Sequence, residues 1–199
     1  MAEKTKKNED LIFIIDAGTQ SIRAALIDLK GTIRDIVKTP IEPYFSERPG
    51  WAEQDPEYYW NILCLTCQKL IKKASTRVMS IRGVTLTSQR GTVVNLDKNG
   101  KPLRPAITWL DQRKAEKKDW PPVHLAAALK AVKMYESALH TFRETESNWI
   151  RQNQPELWDQ THKYLLLSGF FTYRLTGEYV DSIGCTVGYV PFDFKMHTW

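Results

Sequence analysis

The residues best suited to chemistry come early in the chain, in Asp16-Ala17-Gly18-Thr19-Gln20-Ser21-Ile22-Arg23. Gly18 lets the backbone approach a ligand closely. Thr19, Gln20 and Ser21 follow it with backbone N–H groups and polar side chains, and consecutive N–H groups in a turn form a concave anion site. A carboxylate there repels phosphate unless a cation lies between them. Mg²⁺ resolves the conflict, because carboxylate, water and phosphate oxygens are its usual ligands. Asp16 is therefore the candidate metal residue, holding Mg²⁺ through water. Gly18, Thr19, Gln20 and Ser21 are the candidate phosphate residues. Arg23 adds charge or pairs with a carboxylate. Such positioning and charge neutralisation are what phosphoryl transfer requires. The plain alternative is an ordinary hairpin with a glycine in its turn.

The surrounding pattern must position that turn. Leu11–Ile15 is a short β-branched run that predicts a strand buried on both faces. Ile22–Ile27 and Thr32–Lys38 predict two more strands, with turns at Ala17–Gln20 and Asp28–Gly31. Residues 39–54 hold Pro40, Pro43, Pro49 and Gly50 and read as a loop. Asp55-Pro56-Glu57 is a helix start, with an N-cap, a first-position proline and an early acid. Tyr59, Ile62, Leu63, Thr66, Leu70, Ile71 and Ala74 continue it at helical spacing. Ile81–Thr87 and Thr92–Leu96 read as strands, Asp97–Gly100 as a turn, and Pro105–Trp109 as a further edge. Val123–Leu139 and Glu156–Leu175 read as helices, bounded by Pro121, Pro122 and Pro155, with Gly177 as a C-terminal cap. The Ala- and Leu-rich start of the first is explained by packing on the sheet, or by a subunit interface. Tyr179–Asp193 reads as extended. The class is α/β, a mixed sheet flanked by helices. A three-strand meander followed by a crossing helix resembles the opening of the ribonuclease-H-like fold, the fold of actin, hexokinase and the chaperone ATPases. Fold alone does not choose among those functions.

Further segments narrow the choice. They are Gly50-Trp51-Ala52-Glu53-Gln54-Asp55-Pro56, then Thr87-Ser88-Gln89-Arg90-Gly91-Thr92, then Pro102-Leu103-Arg104-Pro105-Ala106-Ile107-Thr108-Trp109-Leu110-Asp111-Gln112-Arg113, and Leu175-Thr176-Gly177-Glu178 with Asp181. Together with the Asp16–Arg23 turn, and in the same order, they resemble the N-terminal domain of FGGY-family carbohydrate kinases from Leu11 onward. Val180 departs from that family's usual Thr. The resemblance implies ATP and Mg²⁺ as cofactors, the Asp16–Arg23 turn as the phosphate site, and a small sugar or polyol as substrate. It implies substrate contacts at Gln89, Arg90, Gly91, Trp109 and Asp111. Trp109 suits the C–H face of a sugar, and Gln89, Arg90 and Asp111 suit its hydroxyls; matched buried donors and acceptors discriminate strongly. For Trp109 the plain alternative is core packing, and for Arg113 an ion pair with Asp111 or another acid. In glycerol kinases the position of Gly91 is typically Glu, and xylulose kinases carry a Met-His pair near Gln89-Arg90 that is missing here. A pentulose such as xylulose is the first expectation. Glycerol or another polyol, or a non-catalytic nucleotide- or sugar-binding relative of actin, is the alternative.

Other signals carry less. The chain has 199 residues, net charge +5, and basic residues mixed with acids, which does not form a nucleic-acid footprint. No run of about 18 apolar residues predicts a membrane span. The charged residues 1–10 read as a disordered lead-in without a signal region. Three cysteines suggest a reducing cytoplasm and no disulfide framework. Cys64-Leu65-Thr66-Cys67 lies in a predicted helix and reads as core, and the four histidines show no ligand spacing. A homo-oligomer is open. Members of the family are more than twice as long, with a catalytic Asp in a Gly-rich stretch that no segment up to Trp199 resembles. The expectation is a partial first domain over 11–199, with the general base and the second, ATP-binding domain beyond it, and with no useful kinase activity alone.

Overall fold

The computed structural model describes residues 9–118, 120–186, 193, 195 and 196. The expected lead-in at 1–10 lies almost wholly outside them. The chain divides into two compact units.

The first unit comprises Met1–Pro43, Asp55–Gly91 and Leu166–Trp199. Its sheet has the order β3-β2-β1-β5. β1 (Leu11–Ala17), β2 (Ser21–Asp28) and β3 (Ile33–Pro40) form the antiparallel meander, and β5 (Ile81–Ser88) lies parallel to β1. A parallel neighbour needs a crossover, and α1 (Pro56–Lys73) lies in that connection. The Asp28 carboxylate accepts the N–H groups of Lys30 and Thr32 and closes the β2–β3 turn. β1 is buried on one face, at Leu11, Phe13, Ile15 and Ala17, and half-buried on the other, so the expectation of two fully buried faces is corrected. The Asp55 side chain caps α1 by accepting the Glu57 N–H, as the sequence predicts. Tyr59, Leu63, Thr66 and Leu70 form its buried stripe. α6 (Leu167–Thr176) buries Phe170 and Phe171 and ends at Gly177, whose φ of 81° is the left-handed cap expected there.

The second unit comprises Tyr44–Gln54 and Thr92–Leu165. Short strands β4 (Glu53–Gln54), β7 (Ala106–Ile107), β6 (Val93–Leu96) and β8 (Lys163–Leu166) stand in that spatial order. Asp97 closes the turn after β6 by accepting from Asn99 and Lys101 N–H. Helices α2 (Val123–Ala131), α3 (Tyr135–Glu144), α4 (Glu146–Asn153) and α5 (Pro155–Gln160) complete it.

Several expectations are corrected. The region 39–54 is not all loop: β3 continues to Pro40, and Glu53–Gln54 pair with the distant β7 by the register Glu53↔Ile107 and Gln54↔Ala106. The helix expected over 123–139 breaks at Val132–Met134, where Lys133 has φ 56°. No α2 residue is buried, and Val123 is 88% exposed, so packing on the sheet does not explain its composition. The helix expected over 156–175 is interrupted by β8. The His162 N–H donates to the Leu96 carbonyl at 2.8 Å, and this tertiary bond draws the segment to β6 against the local helical pattern. Ile183–Thr186 is a 3-10 turn where extended chain was expected, and residues 187–192 of that stretch lie outside the described residues.

Candidate functional site

The candidate phosphate turn joins β1 to β2. Gly18 N–H donates to the Ser21 carbonyl at 3.1 Å, which makes the turn tight. A Cβ on Gly18 would stand 3.3 Å from that carbonyl oxygen and 3.6 Å from Nη1 of Arg23, so a side chain would crowd the turn. The register sets Asp16 opposite Arg23. Arg23 Nη1 donates to Asp16 Oδ2 at 2.7 Å, with the side chains 41% and 37% exposed. Of the two roles expected for Arg23, the structure shows pairing with a carboxylate. Thr19 is half-buried and Gln20 exposed. Ser21 departs from expectation: it is 1% exposed and its Oγ has no hydrogen-bond partner among the described residues, so its hydroxyl is turned into the fold.

The β1–β5 pairing brings a second predicted segment to this edge. Asp16 lies beside Thr87 and Ala17 beside Ser88. The ladder continues one step further, with the Gln89 N–H donating to the Ala17 carbonyl at 2.9 Å. Gln89, Arg90 and Gly91 therefore leave the sheet next to the Asp16–Ser21 turn, at the C-terminal ends of two parallel strands. Ligands bind there in open α/β sheets.

Gln89 is held from beneath. Its Nε2 donates to the Tyr59 hydroxyl at 2.9 Å, and that hydroxyl donates to the Pro43 carbonyl at 3.1 Å. Gln89 Oε1 is buried and lacks a hydrogen-bond partner among the described residues. In this structure the Gln89 amide faces helix α1 and is braced by Tyr59. Arg90, the next residue, is exposed. Gly91 has φ 70°, a conformation that glycine adopts without steric cost. Burial pushes the Tyr59 phenol up to about 12, which keeps its single proton available for the Pro43 bond. The sequence pattern marks Tyr59 only as a residue of the buried helix stripe; a hydroxyl on that stripe is the signal that it needs a polar partner.

The remaining predicted residues belong to the second unit. Trp109 is 51% exposed, so core packing does not account for it. Its neighbour Asp111 is enclosed. Asp111 Oδ1 accepts the N–H and Nε of Arg113 at 2.9 and 2.7 Å, and Oδ2 accepts Arg113 Nη2 and the Ala52 N–H, both at 2.7 Å. The Asp111 and Arg113 side chains are each 2% exposed. Each oxygen of the carboxylate thus accepts two hydrogen bonds from within the chain. The ion pair expected for Arg113 is present.

Two charged residues beneath them were not expected. Arg113 Nη2 also meets Glu53 Oε1 at 2.9 Å, and Arg104 Nη2 binds the same oxygen. Burial lowers the affinity of Arg104 for its proton, opposed by Glu53. The Arg113 guanidinium lies 3.9 Å from the Trp51 ring centroid and 4.6 Å from that of Trp149.

Among the described residues no group of three or more His, Cys, Asp or Glu could hold a metal ion. Cys64 and Cys67 are free and half-buried, and burial raises both thiols, that of Cys67 to about 11. No described helix is long and apolar enough to cross a membrane.

Comparison with known proteins agrees with this geometry. The sequence model of the N-terminal domain of the FGGY family of carbohydrate kinases matches residues 11–199. A probable L-xylulose kinase from Haemophilus influenzae is 32% identical over 81% of this chain and 33% of its own length. A glycerol kinase from Thermococcus onnurineus is 29% identical over 94% of the chain and 38% of its own. The chain thus spans less than two fifths of the length of these curated relatives. Among solved structures, Plasmodium falciparum glycerol kinase with ADP aligns with a TM-score of 0.73 at 23% identity, covering 96% of this chain and 39% of that one. Ligand-bound xylulose kinase from Lactobacillus acidophilus aligns with a TM-score of 0.71 at 19% identity, covering 96% and 38%. These structural likenesses establish the actin-like, ribonuclease-H-like fold.

Proposed function

Because this chain belongs to the FGGY family of carbohydrate kinases, we propose that it forms the N-terminal part of an enzyme that transfers the γ-phosphoryl group of ATP to a hydroxyl of a sugar or polyol. The observation that carries this reading is the β1–β5 register, which sets the Asp16–Ser21 turn beside Gln89–Gly91 at one sheet edge. Nucleotide phosphates lie on the turn, against Gly18 and the backbone of Thr19, Gln20 and Ser21. In the first unit Arg90 and Gly91 are the proposed sugar contacts, with Gln89 holding its neighbours in place; in the second unit the exposed indole of Trp109 suits the C–H face of a sugar, with Asp111 holding its turn.

The Asp16 carboxylate suits Mg²⁺ held through water. It is a single carboxylate, its side chain is 37% exposed, and Mg²⁺ keeps several waters where phosphate oxygens supply the rest. Bound there, the ion neutralises phosphate charge. Arg23 holds the Asp16 carboxylate at the turn, and Gly18 keeps the approach clear.

A pentulose such as xylulose is the first substrate. The probable L-xylulose kinase relative supports it, as does Gly91, which lacks the carboxylate that glycerol kinases carry at this position. Glycerol is the runner-up, supported by the Thermococcus relative. We place the protein in the cytoplasm, acting on small molecules rather than nucleic acid or membrane, with self-association open.

We infer that these 199 residues by themselves bind ligand without turnover; the support is that they span less than two fifths of the length of the curated relatives they match. The test is a coupled ADP-release assay on this chain with D-xylulose, L-xylulose, D-ribulose and glycerol, run beside thermal-shift titrations with the same compounds and with Mg·ADP. The expected result is ligand stabilisation without turnover. Sugar-dependent turnover at an ordinary enzyme rate defeats the inactivity, and absence of any stabilisation by sugars and nucleotide defeats the binding roles.

A further inference from the structure

Trp109 owes its position to a built support. It is one of two central residues of a turn closed by the Asp111 N–H donating to the Thr108 carbonyl at 3.0 Å. That turn is stitched to the segment Gly50–Ala52 at four points. The Thr108 N–H and Oγ1 both donate to the Ala52 carbonyl, at 3.0 and 3.1 Å. The Gln112 N–H donates to the Gly50 carbonyl at 2.8 Å, and the Ala52 N–H donates to Asp111 Oδ2 at 2.7 Å. Asp111 therefore bonds both to the opposite segment and to the buried arginine.

Arg113 fixes Asp111 in turn. It grips the carboxylate with Nε and Nη2 in a two-point contact, and Nη2 reaches Glu53 as well. Its planar face lies over Trp51, itself in the Gly50–Ala52 segment. The guanidinium cannot rotate without losing carboxylate bonds and ring contact together. A lysine has neither the fork nor the plane.

We propose that Asp111 and Arg113 are positioning residues for Trp109: they hold the turn so that an exposed indole is presented in one orientation, as a rigid face for the C–H side of a sugar. Part of this rests on the sugar-facing role proposed above for Trp109; the orientation of the indole does not. Presenting a large apolar side chain to a ligand rewards rigidity, because an indole ordered before binding need not be ordered during it.

The test is ¹⁹F NMR of the full chain labelled with 5-fluorotryptophan, with the Trp109 resonance assigned through Trp109→Phe. In wild type a single Trp109 line is expected. In Asp111→Asn and Arg113→Lys that line should split or broaden about twofold or more, while the Trp60 and Trp158 lines stay unchanged. Thr108→Val, which removes only the Oγ1 bond and keeps all buried charges, provides a variant expected to fold, with a smaller broadening in the same line. An unchanged Trp109 line in Thr108→Val and in whichever charge variants fold overturns the proposal. D-Xylulose binding is then titrated in a double-mutant cycle. Asp111→Asn should weaken binding about two- to tenfold in the otherwise wild-type chain, the scale of ordering one more side chain on binding, and by nothing further in a Trp109→Ala background. Equal losses in both backgrounds make Asp111 merely structural and also overturn it. If Trp109→Ala binds D-xylulose as wild type does, the sugar-facing reading fails, while the ¹⁹F result still decides the positioning claim.

Discussion

Arg23 and Asp16 face each other across the first hairpin and form an ion pair at 2.7 Å, at the residue where a cation is proposed. Both side chains are more than a third exposed, so the pair contributes at most about 1 kcal/mol to stability. Its significance is functional, because the same carboxylate cannot serve Arg23 and hydrated Mg²⁺ with full effect at once. Asp16→Asn should leave the urea unfolding free energy within about 1 kcal/mol of wild type and remove the Mg²⁺ dependence of ADP binding, measured by calorimetry with and without the ion. Retention of that dependence would argue against Asp16 as the metal residue.

Gly91 ends the β5 segment with φ 70°. A side chain there costs roughly 1–2 kcal/mol. Gly91→Ala should lower the free energy of unfolding by that amount, read as a shift in the urea midpoint at constant slope. An unchanged midpoint means the left-handed conformation is not required.

Tyr59 couples folding to alkaline pH. Its folded-state value is about 12, above the ordinary 10. The unfolded chain therefore releases the phenol proton first. The stability associated with the neutral phenol is fully present below pH 10 and is lost between about pH 10 and 12. It is on the order of 2–3 kcal/mol. Tyr59→Phe should be less stable at pH 7 by about 1–3 kcal/mol, since the buried Gln89 amide loses its partner. It should also show a shallower fall in stability over that alkaline window. Parallel curves for the two proteins would refute the coupling.

Glu53 stands between two arginines in a buried cluster. Glu53→Gln removes the carboxylate that pairs with both Arg104 and Arg113. Breaking one member of a buried pair costs about 3–5 kcal/mol, so the variant should unfold at much lower urea, or fail to accumulate folded. Trp109→Ala, at a 51% exposed position, serves as the contrast and should cost far less.

Cys67 has its thiol raised to about 11 by burial. At pH 8 only about one part in a thousand is thiolate, and thiolate is the reacting species. Iodoacetamide should label Cys67 far more slowly than an unfolded control, as followed by peptide mass spectrometry. Labelling at the unfolded rate would contradict the raised thiol.

The sequence by itself determined the elements whose signals are local. The β1–β3 meander, the Asp55-capped start of α1, the Asp97 turn and the Gly177 cap depend on neighbours a few residues away, and each is found where its residues imply. Local pattern also marked the Asp16–Arg23 turn and the exposed Trp109. Contacts between distant segments decided the rest. Strands β4 and β8 are too short to carry a period, and exist because β7 and β6 supply their hydrogen bonds. The helix expected across 156–175 yields to such a bond at His162. The same distinction divides the site. Residue type marked Gln89 and Asp111 as groups able to bind hydroxyls, but a polar side chain serves whichever partner folding brings to it. Tyr59, 30 residues before Gln89, takes the amide, and Ala52, 59 residues before Asp111, takes a carboxylate oxygen with Arg113. Burying either group without a partner costs about 1–3 kcal/mol, and only the tertiary structure shows which partner removes that cost.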